Sequence, residues 1–225
     1  MKRFFSKYKL FLSIFLFICL IILLLFYDAL KPKRTLPIYN PAVVNLELVD
    51  SSIQHIKKFH RIADFNLKNQ NGELVTQKTF ENKIYVANFF FTTCPSICPI
   101  MTDNMSILQN IYKKDFSVLL LSHSVTPRID SVTQLKKYAL DKGVIDDKWH
   151  LVTGDKKEIY DLARQSYLAV KKNVDGDEHD MIHTENFILI DPDKRIRGYY
   201  DGTLRDDMDE IQKDIKVLKA EYSIH

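Results

Sequence analysis

Two long apolar runs do most to restrict the fold of this chain. KIYVANFFF (83–91) and FSVLLLSHSV (116–125) are almost continuously apolar, as strands buried on both faces are. Between them, Met101, Met105 and Leu108 recur at helical spacing. A buried strand, a helix and a second buried strand predict a parallel pair at the centre of a sheet.

The flanking segments extend this pair into a mixed sheet. Residues 63–77 alternate between apolar and polar around Asn71-Gly72, which predicts a hairpin. FILID (187–191) and IRGYYDG (196–202) predict an antiparallel pair joined by Pro192-Asp193. The other predicted elements are helices over 129–139, 159–167 and 208–218 and a short strand over 149–154. We therefore predict an α/β fold, a mixed sheet with helices on both faces.

The N-terminal part has a different character. LFLSIFLFICLIILLLFY, from Leu10 to Tyr27, is 18 residues long. As a helix it would span about 27 Å, close to the hydrocarbon thickness of a bilayer. A cleavable signal peptide would have a shorter apolar region, roughly 7–15 residues, and a small-residue cleavage site, which DALKPKRTLP lacks. We predict an uncleaved single transmembrane helix.

This anchor sets the expected organisation of the chain. Residues 1–30 hold the basic tail and the anchor (about 10–27), residues 31–52 a linker, and residues 53–225 one globular domain. Four basic residues precede the apolar run and three follow it, which weakly favours a cytoplasmic N-terminus. We therefore expect a single-pass protein of the plasma (inner) membrane, with its C-terminal domain on the extracytoplasmic, periplasmic side.

The charge of the chain bears on its partners. The net charge is only +3, and no Lys/Arg cluster alternates with aromatic residues. Nucleic acid is therefore not an expected partner.

Two of the three cysteines lie in FFFTTCPSICPIM (89–101), where the first central strand gives way to a helix. Functional groups of α/β sheets usually lie at this edge. Pro99 suits the first helical position, which predicts Cys98 at the helix cap, where free N–H groups would lower the thiol pKa. Cys94 and Cys98 could form a redox disulfide or bind one soft metal together, and the residues alone leave both open.

Histidines could complete a metal site. His123 ends the second buried strand at the same sheet edge, His179 lies in the acidic loop DGDEHD, and His183 follows that loop. Two thiolates suit Cu(I), and an added imidazole also accepts Cu(II). Zinc is the rival metal, because carboxylates of the acidic loop at 177, 178 and 180 could supply a fourth ligand.

At these residues the chain resembles the SCO/SenC family of copper proteins. KIYVANFFFTTCPSICPIM resembles the family's strand and C-x-x-x-C-P loop. DFNLKNQNGE, LLLSHSVTPRIDSVTQLKKYA, the W-x-L-x-TG of 149–154 and HTENFILIDPDKRIRGYYDGT resemble further family segments in the same order. The resemblance covers roughly residues 59 to 218.

The resemblance implies a thioredoxin-like fold with Cys94, Cys98 and His183 as copper ligands. It implies delivery of copper, Cu(I) or Cu(II), to the copper-containing subunit of cytochrome c oxidase, by a metallochaperone rather than an enzyme. Two other functions stay open. One is a thiol-disulfide oxidoreductase that reduces the subunit's copper-site cysteines and is itself recharged by a thioredoxin-like reductant; the other is a copper-responsive redox sensor.

Related thiol enzymes fit the sequence less well. A thioredoxin-type oxidoreductase would have C-x-x-C, and a peroxiredoxin would have Thr where Phe91 stands, three residues before Cys94. One position also departs from the SCO/SenC pattern, because the family commonly has V-D-P where this chain has Val125-Thr126-Pro127. Any role of that carboxylate is therefore in doubt here.

Overall fold

A computed structural model describes residues 8–30, 34–42, 44, 53, 55–56, 58–170 and 184–224. The chain divides into two compact units, Met1–Arg34 and Thr35–His225. The first contains helix α1 (Lys9–Leu30), which covers the predicted apolar run. Within it, Lys9–Tyr27 has a mean hydropathy of 3.1, so by length and composition this helix could cross a membrane.

The second unit is built on one seven-stranded sheet. The strand order is β2-β1-β5-β4-β3-β6-β7. The strands are β1 (Asn66–Asn69), β2 (Leu74–Thr76), β3 (Ile84–Phe90), β4 (Val118–Ser124), β5 (Trp149–Thr153), β6 (Asn186–Ile190) and β7 (Ile196–Asp201). The helices are α2 (Ile97–Ile111), α3 (Val132–Lys142), α4 (Lys156–Asp161) and α5 (Arg205–Glu221).

The two long apolar runs form the parallel centre of this sheet. β3 pairs with β4 from Ile84↔Val118 to Phe90↔Ser124, and every residue of both strands is buried. β5 continues the parallel set, whereas β6 pairs antiparallel with β3. The predicted mixed sheet is confirmed, and its parallel centre brings the C-terminal ends of β3 and β4 together.

Successive residues of a strand point to opposite faces, so ring contacts show what covers each face. Phe90 contacts Tyr138 of α3, with ring centroids 5.6 Å apart. Phe89 contacts Tyr167, which follows α4, at 5.6 Å. Helical segments therefore cover both faces, as predicted.

The helix boundaries differ from the predictions, and α5 is longer at both ends than the predicted 208–218. α2 begins at Ile97 rather than at Pro99. α3 begins at Val132, because Ser131 caps it by accepting a hydrogen bond from the Gln134 N–H at 3.3 Å. The predicted helix over 159–167 is α4 followed by a π-helical turn, Leu162–Ser166.

The globular unit begins at Thr35, ahead of the expected boundary at residue 53. Arg197, with 1% of its side chain exposed, donates to the backbone oxygens of Leu36 at 2.8 Å and Pro37 at 3.0 Å. The Tyr39 N–H donates to the Ile196 oxygen at 2.9 Å, beside the edge strand β7. These contacts hold the start of the expected linker against the domain.

Candidate metal centre

The cysteine pair lies where β3 leads into α2. The Cys94 N–H donates to the Phe91 oxygen at 3.3 Å, which turns the chain back at the end of the strand. Cys98 lies in the first turn of α2. Both thiols are free, and Cys94 and Cys98 are only 8% and 4% exposed. Only a small part of each cysteine is therefore open to a reaction partner.

The two thiols differ in acidity. Burial opposes ionisation of Cys94, but hydrogen bonds outweigh it and lower the pKa of this thiol to about 7. The donors are the Cys98 thiol, the N–H groups of Ser96 and Cys98, and the Ser96 hydroxyl, whose oxygen lies 3.8 Å from the Cys94 sulfur. Burial raises the pKa of Cys98 to about 12, and its hydrogen bond to Cys94 adds to the rise.

The prediction that Cys98 is the acidic thiol at the helix cap is therefore wrong. Because α2 begins two residues before Pro99, Ser96 is the cap and Cys98 lies inside the first turn. The free N–H groups at the start of the helix point to Cys94 instead. Ser96 was missed from the sequence: it occupies the cap position, but its side chain makes no cap hydrogen bond, and its hydroxyl lies beside the Cys94 sulfur instead.

This geometry permits two kinds of chemistry. An acidic thiol hydrogen-bonded to a protonated one suits attack on a disulfide followed by resolution. Two sulfurs near enough to shift each other's pKa also suit a soft metal such as Cu(I). The described residues contain no group of three or more His, Cys, Asp or Glu that could hold a metal. His183 and His179 lie outside the described residues, as does the acidic loop at 177–180.

His123 is part of the core. Its ring stacks on Phe89 with centroids 4.9 Å apart and meets Tyr167 at 5.2 Å. The side chain is fully buried, and burial lowers its pKa to about 3. Phe89 and His123 occupy the face opposite Phe90, whereas α2 is joined to the Phe90 face through the Thr102–Tyr138 hydrogen bond of 2.8 Å. His123 is thus separated by the sheet from the helix that carries Cys98.

A buried carboxylate near the loop was also missed from the sequence. Asp130 accepts hydrogen bonds from Thr92 and from Thr126, whose hydroxyl lies at 3.1 Å. At the position where the SCO/SenC pattern has Asp, this chain thus has a hydroxyl that donates to Asp130. The signal available in the sequence was a lone acidic residue four positions after Thr126, which is too common a pattern to be specific.

Comparison with known proteins gives consistent matches. The SCO1/SenC family model matches residues 54–220. The SCO1 protein homolog of Bacillus subtilis (strain 168) is 33% identical over 159 residues, which are 70% of this chain and 82% of that protein.

Two solved structures are similar over most of the domain. BsSco, described as a member of the Sco family of cytochrome c oxidase assembly proteins with a disulfide switch, is 32% identical with a TM-score of 0.61. The match covers 71% of this chain and 93% of BsSco. Bradyrhizobium japonicum ScoI, solved with copper bound, is 26% identical with a TM-score of 0.55, over 69% of this chain and 99% of that one.

Proposed function

Since this chain belongs to the SCO1/SenC family, we propose that it binds copper and delivers it to the copper-containing subunit of cytochrome c oxidase during assembly. The proposed ligands are Cys94, Cys98 and His183. The observation that carries the proposal is the placement of two free cysteines at the β3–α2 junction, near enough to shift each other's pKa. The copper-bound relative ScoI supports the choice of metal.

Each proposed ligand has a chemical reason. A thiolate is a soft donor that suits Cu(I), and Cys94 ionises near neutral pH because of its hydrogen bonds. Cys98 needs the metal to lose its proton, so copper loading should release protons. His183 is assigned from its position in the SCO/SenC pattern, and its imidazole would let the site hold Cu(II) as well.

A thiol-disulfide oxidoreductase is the second candidate, favoured by the unequal acidity of the two thiols. The Cys94 thiolate would attack a disulfide of the oxidase subunit and form a mixed disulfide, releasing one partner thiolate. Cys98 would then lose its proton and attack the Cys94 sulfur. The partner leaves as a dithiol, Cys94–Cys98 becomes a disulfide, and an external dithiol reductant must restore it.

Substitution of His183 separates the two functions. Loss of a ligand should weaken copper binding, whereas disulfide exchange needs only the two sulfurs. Mutation of residues that hydrogen-bond to a metal's ligands typically costs 10–100-fold in metal affinity. Loss of a ligand itself should cost no less, so His183→Ala should lower Cu(I) affinity at least about tenfold. The rates of disulfide reduction and re-oxidation should remain close to wild type.

The measurements are a Cu(I) competition titration and a disulfide-exchange assay on the same preparations. His179→Ala is the matched control, because it removes another histidine of the same segment and should leave copper affinity unchanged. Equal Cu(I) affinity in wild type and His183→Ala would remove His183 from the site. The reductase would be favoured if His183→Ala fails to support oxidase assembly although its copper binding is unchanged and its disulfide exchange is impaired.

We further propose that α1 anchors the protein in the plasma membrane, with the domain on the extracytoplasmic side. The length and hydropathy of Lys9–Tyr27 support the anchor. The redox chemistry of a close cysteine pair supports the compartment, because disulfides persist outside the cytoplasm.

A further inference from the structure

Asp130 has an unusual environment for a carboxylate. It has no exposed surface, yet its hydrogen-bond donors among the described residues are all neutral. The Thr92 hydroxyl donates at 2.6 Å, the Thr92 N–H at 3.2 Å, the Ser124 hydroxyl at 2.6 Å and the Thr126 hydroxyl at 3.1 Å. Burying a carboxyl group in this way is costly unless every acceptor position is satisfied.

These donors come from the ends of both central strands. Ser124 is the last residue of β4, and Thr126 lies two residues beyond it. Thr92 is the second residue after β3, and its hydroxyl also accepts a hydrogen bond from Gln134 of α3 at 3.1 Å. Asp130 therefore joins the exit of β3 to the exit of β4 and, through Gln134, to α3.

The chain continues directly from this junction to the cysteines. Thr92 precedes Cys94 by two residues, and the intervening turn is closed by the Cys94 N–H bond to Phe91. At its other end the loop enters α2 at Ile97. Asp130 thus fixes the strand end of a short loop whose helix end is fixed by α2. Cys94 lies between the two fixed ends, and Cys98 lies in the first turn of α2, at the second of them.

We propose that Asp130 is a positioning residue for the Cys94–Cys98 pair and acts through Thr92, an inference that rests on the proposed function. A loop held at both ends keeps the two sulfurs close together. This raises the effective concentration of one sulfur at the other and lowers the entropic cost of closing a ring through copper or through a disulfide bond. Loosening the loop should weaken both kinds of ring closure.

The test compares variants of the full-length chain in detergent. All of them, and the wild-type reference, carry Cys19→Ser, so that Cys94 and Cys98 are the only thiols. Two quantities are measured on each preparation. One is Cu(I) affinity, by competition with a chromophoric chelator. The other is the equilibrium constant of the Cys94–Cys98 disulfide in a dithiothreitol redox buffer, which needs no copper.

Asp130→Asn replaces one acceptor oxygen by a donor and should lower both quantities about tenfold, the lower end of what lost support behind a metal ligand costs. Thr92→Val removes one hydroxyl donor and should lower them about threefold, as one lost hydrogen bond would. In the double variant, Asp130→Asn with Thr92→Val, Cu(I) affinity and the disulfide equilibrium constant should be no lower than in Asp130→Asn alone. Both substitutions remove the same hydrogen-bonded link between Asp130 and Thr92.

Asp214→Asn is the control for a purely structural effect. Asp214 is also buried and accepts a hydrogen bond from the Tyr200 hydroxyl at 2.7 Å, but it lies on α5. The Asp214→Asn variant should have a lower free energy of unfolding but the same Cu(I) affinity and disulfide equilibrium constant as the wild type. A folded Asp130→Asn protein with wild-type values, or an equal loss in Asp214→Asn, would overturn the proposal.

Two further outcomes are also decisive. If Asp130→Asn does not fold, Thr92→Val decides alone, and wild-type values in that variant reject the positioning role. If the wild-type chain does not bind Cu(I), the proposed copper function fails. The disulfide equilibrium then still tests Asp130.

Discussion

At the scale of single residues, Cys94 and Cys98 differ in how readily each loses its proton. Cys94 lies just before the first turn of α2 and receives hydrogen bonds from N–H groups there, while Cys98 lies inside that turn. A thiolate outside a helix N-terminus is stabilised by these donors and by the helix dipole. The residue that attacks a partner or first meets a metal is therefore expected to be Cys94.

This difference predicts the pH dependence of alkylation in the reduced, metal-free chain. Iodoacetamide reacts with the thiolate, so Cys94 modification should be half-maximal near its pKa of about 7 and slow as pH falls below it. Cys98, with its pKa raised to about 12, should stay unmodified across pH 5–9. Peptide mapping by mass spectrometry measures both sites in one sample.

The control for this experiment is Cys98→Ala. It removes the thiol that donates to Cys94, so the midpoint for Cys94 should move to higher pH. Faster labelling of Cys98 than of Cys94 at pH 7 would contradict the assignment.

At the scale of elements, most strands were predictable and helix starts were not. The predicted strands 83–91 and 116–125 correspond to Ile84–Phe90 and Val118–Ser124, because complete burial leaves a continuous apolar signal. The start of α2 was set two residues too late, since Pro99 suits several positions in a first helical turn. Because of this two-residue error, the lowered thiol pKa was expected at Cys98, whereas the structure has it at Cys94.

Helix α1 carries a prediction of its own. If it is an uncleaved anchor with a cytoplasmic N-terminus, a reporter that works only outside the cytoplasm should be active when fused after His225. Leu20→Arg places a charge in the middle of the apolar run, which costs about 3 kcal/mol at the centre of a bilayer, and should reduce that activity. Leu20→Ala is the matched control. Recovery of a soluble mature form lacking residues 1–30 would show a signal peptide instead.

At the scale of the whole molecule, features that depend on contacts between residues close in the sequence were predictable, and features that depend on long-range contacts were not. The sheet and its helices could be derived because their periodicities are local, and the cysteine pair because it lies in one short loop. The links that organise the unit are long-range. Thr92 and Asp130 are 38 residues apart, and Arg197 reaches Leu36 across 161 residues. No local pattern signals such a pairing, so the support of the loop and the contacts of residues 36–39 with β7 became visible only in the folded chain.

We propose that Cys94, Cys98 and His183 bind one copper ion together. X-ray absorption spectroscopy at the copper edge identifies the ligand atoms, because sulfur and nitrogen neighbours scatter differently. For the reduced chain loaded with one Cu(I), we expect two sulfur neighbours and one imidazole nitrogen, with the nitrogen lost in His183→Ala. A first shell without sulfur, or an imidazole signal that survives His183→Ala, would contradict it.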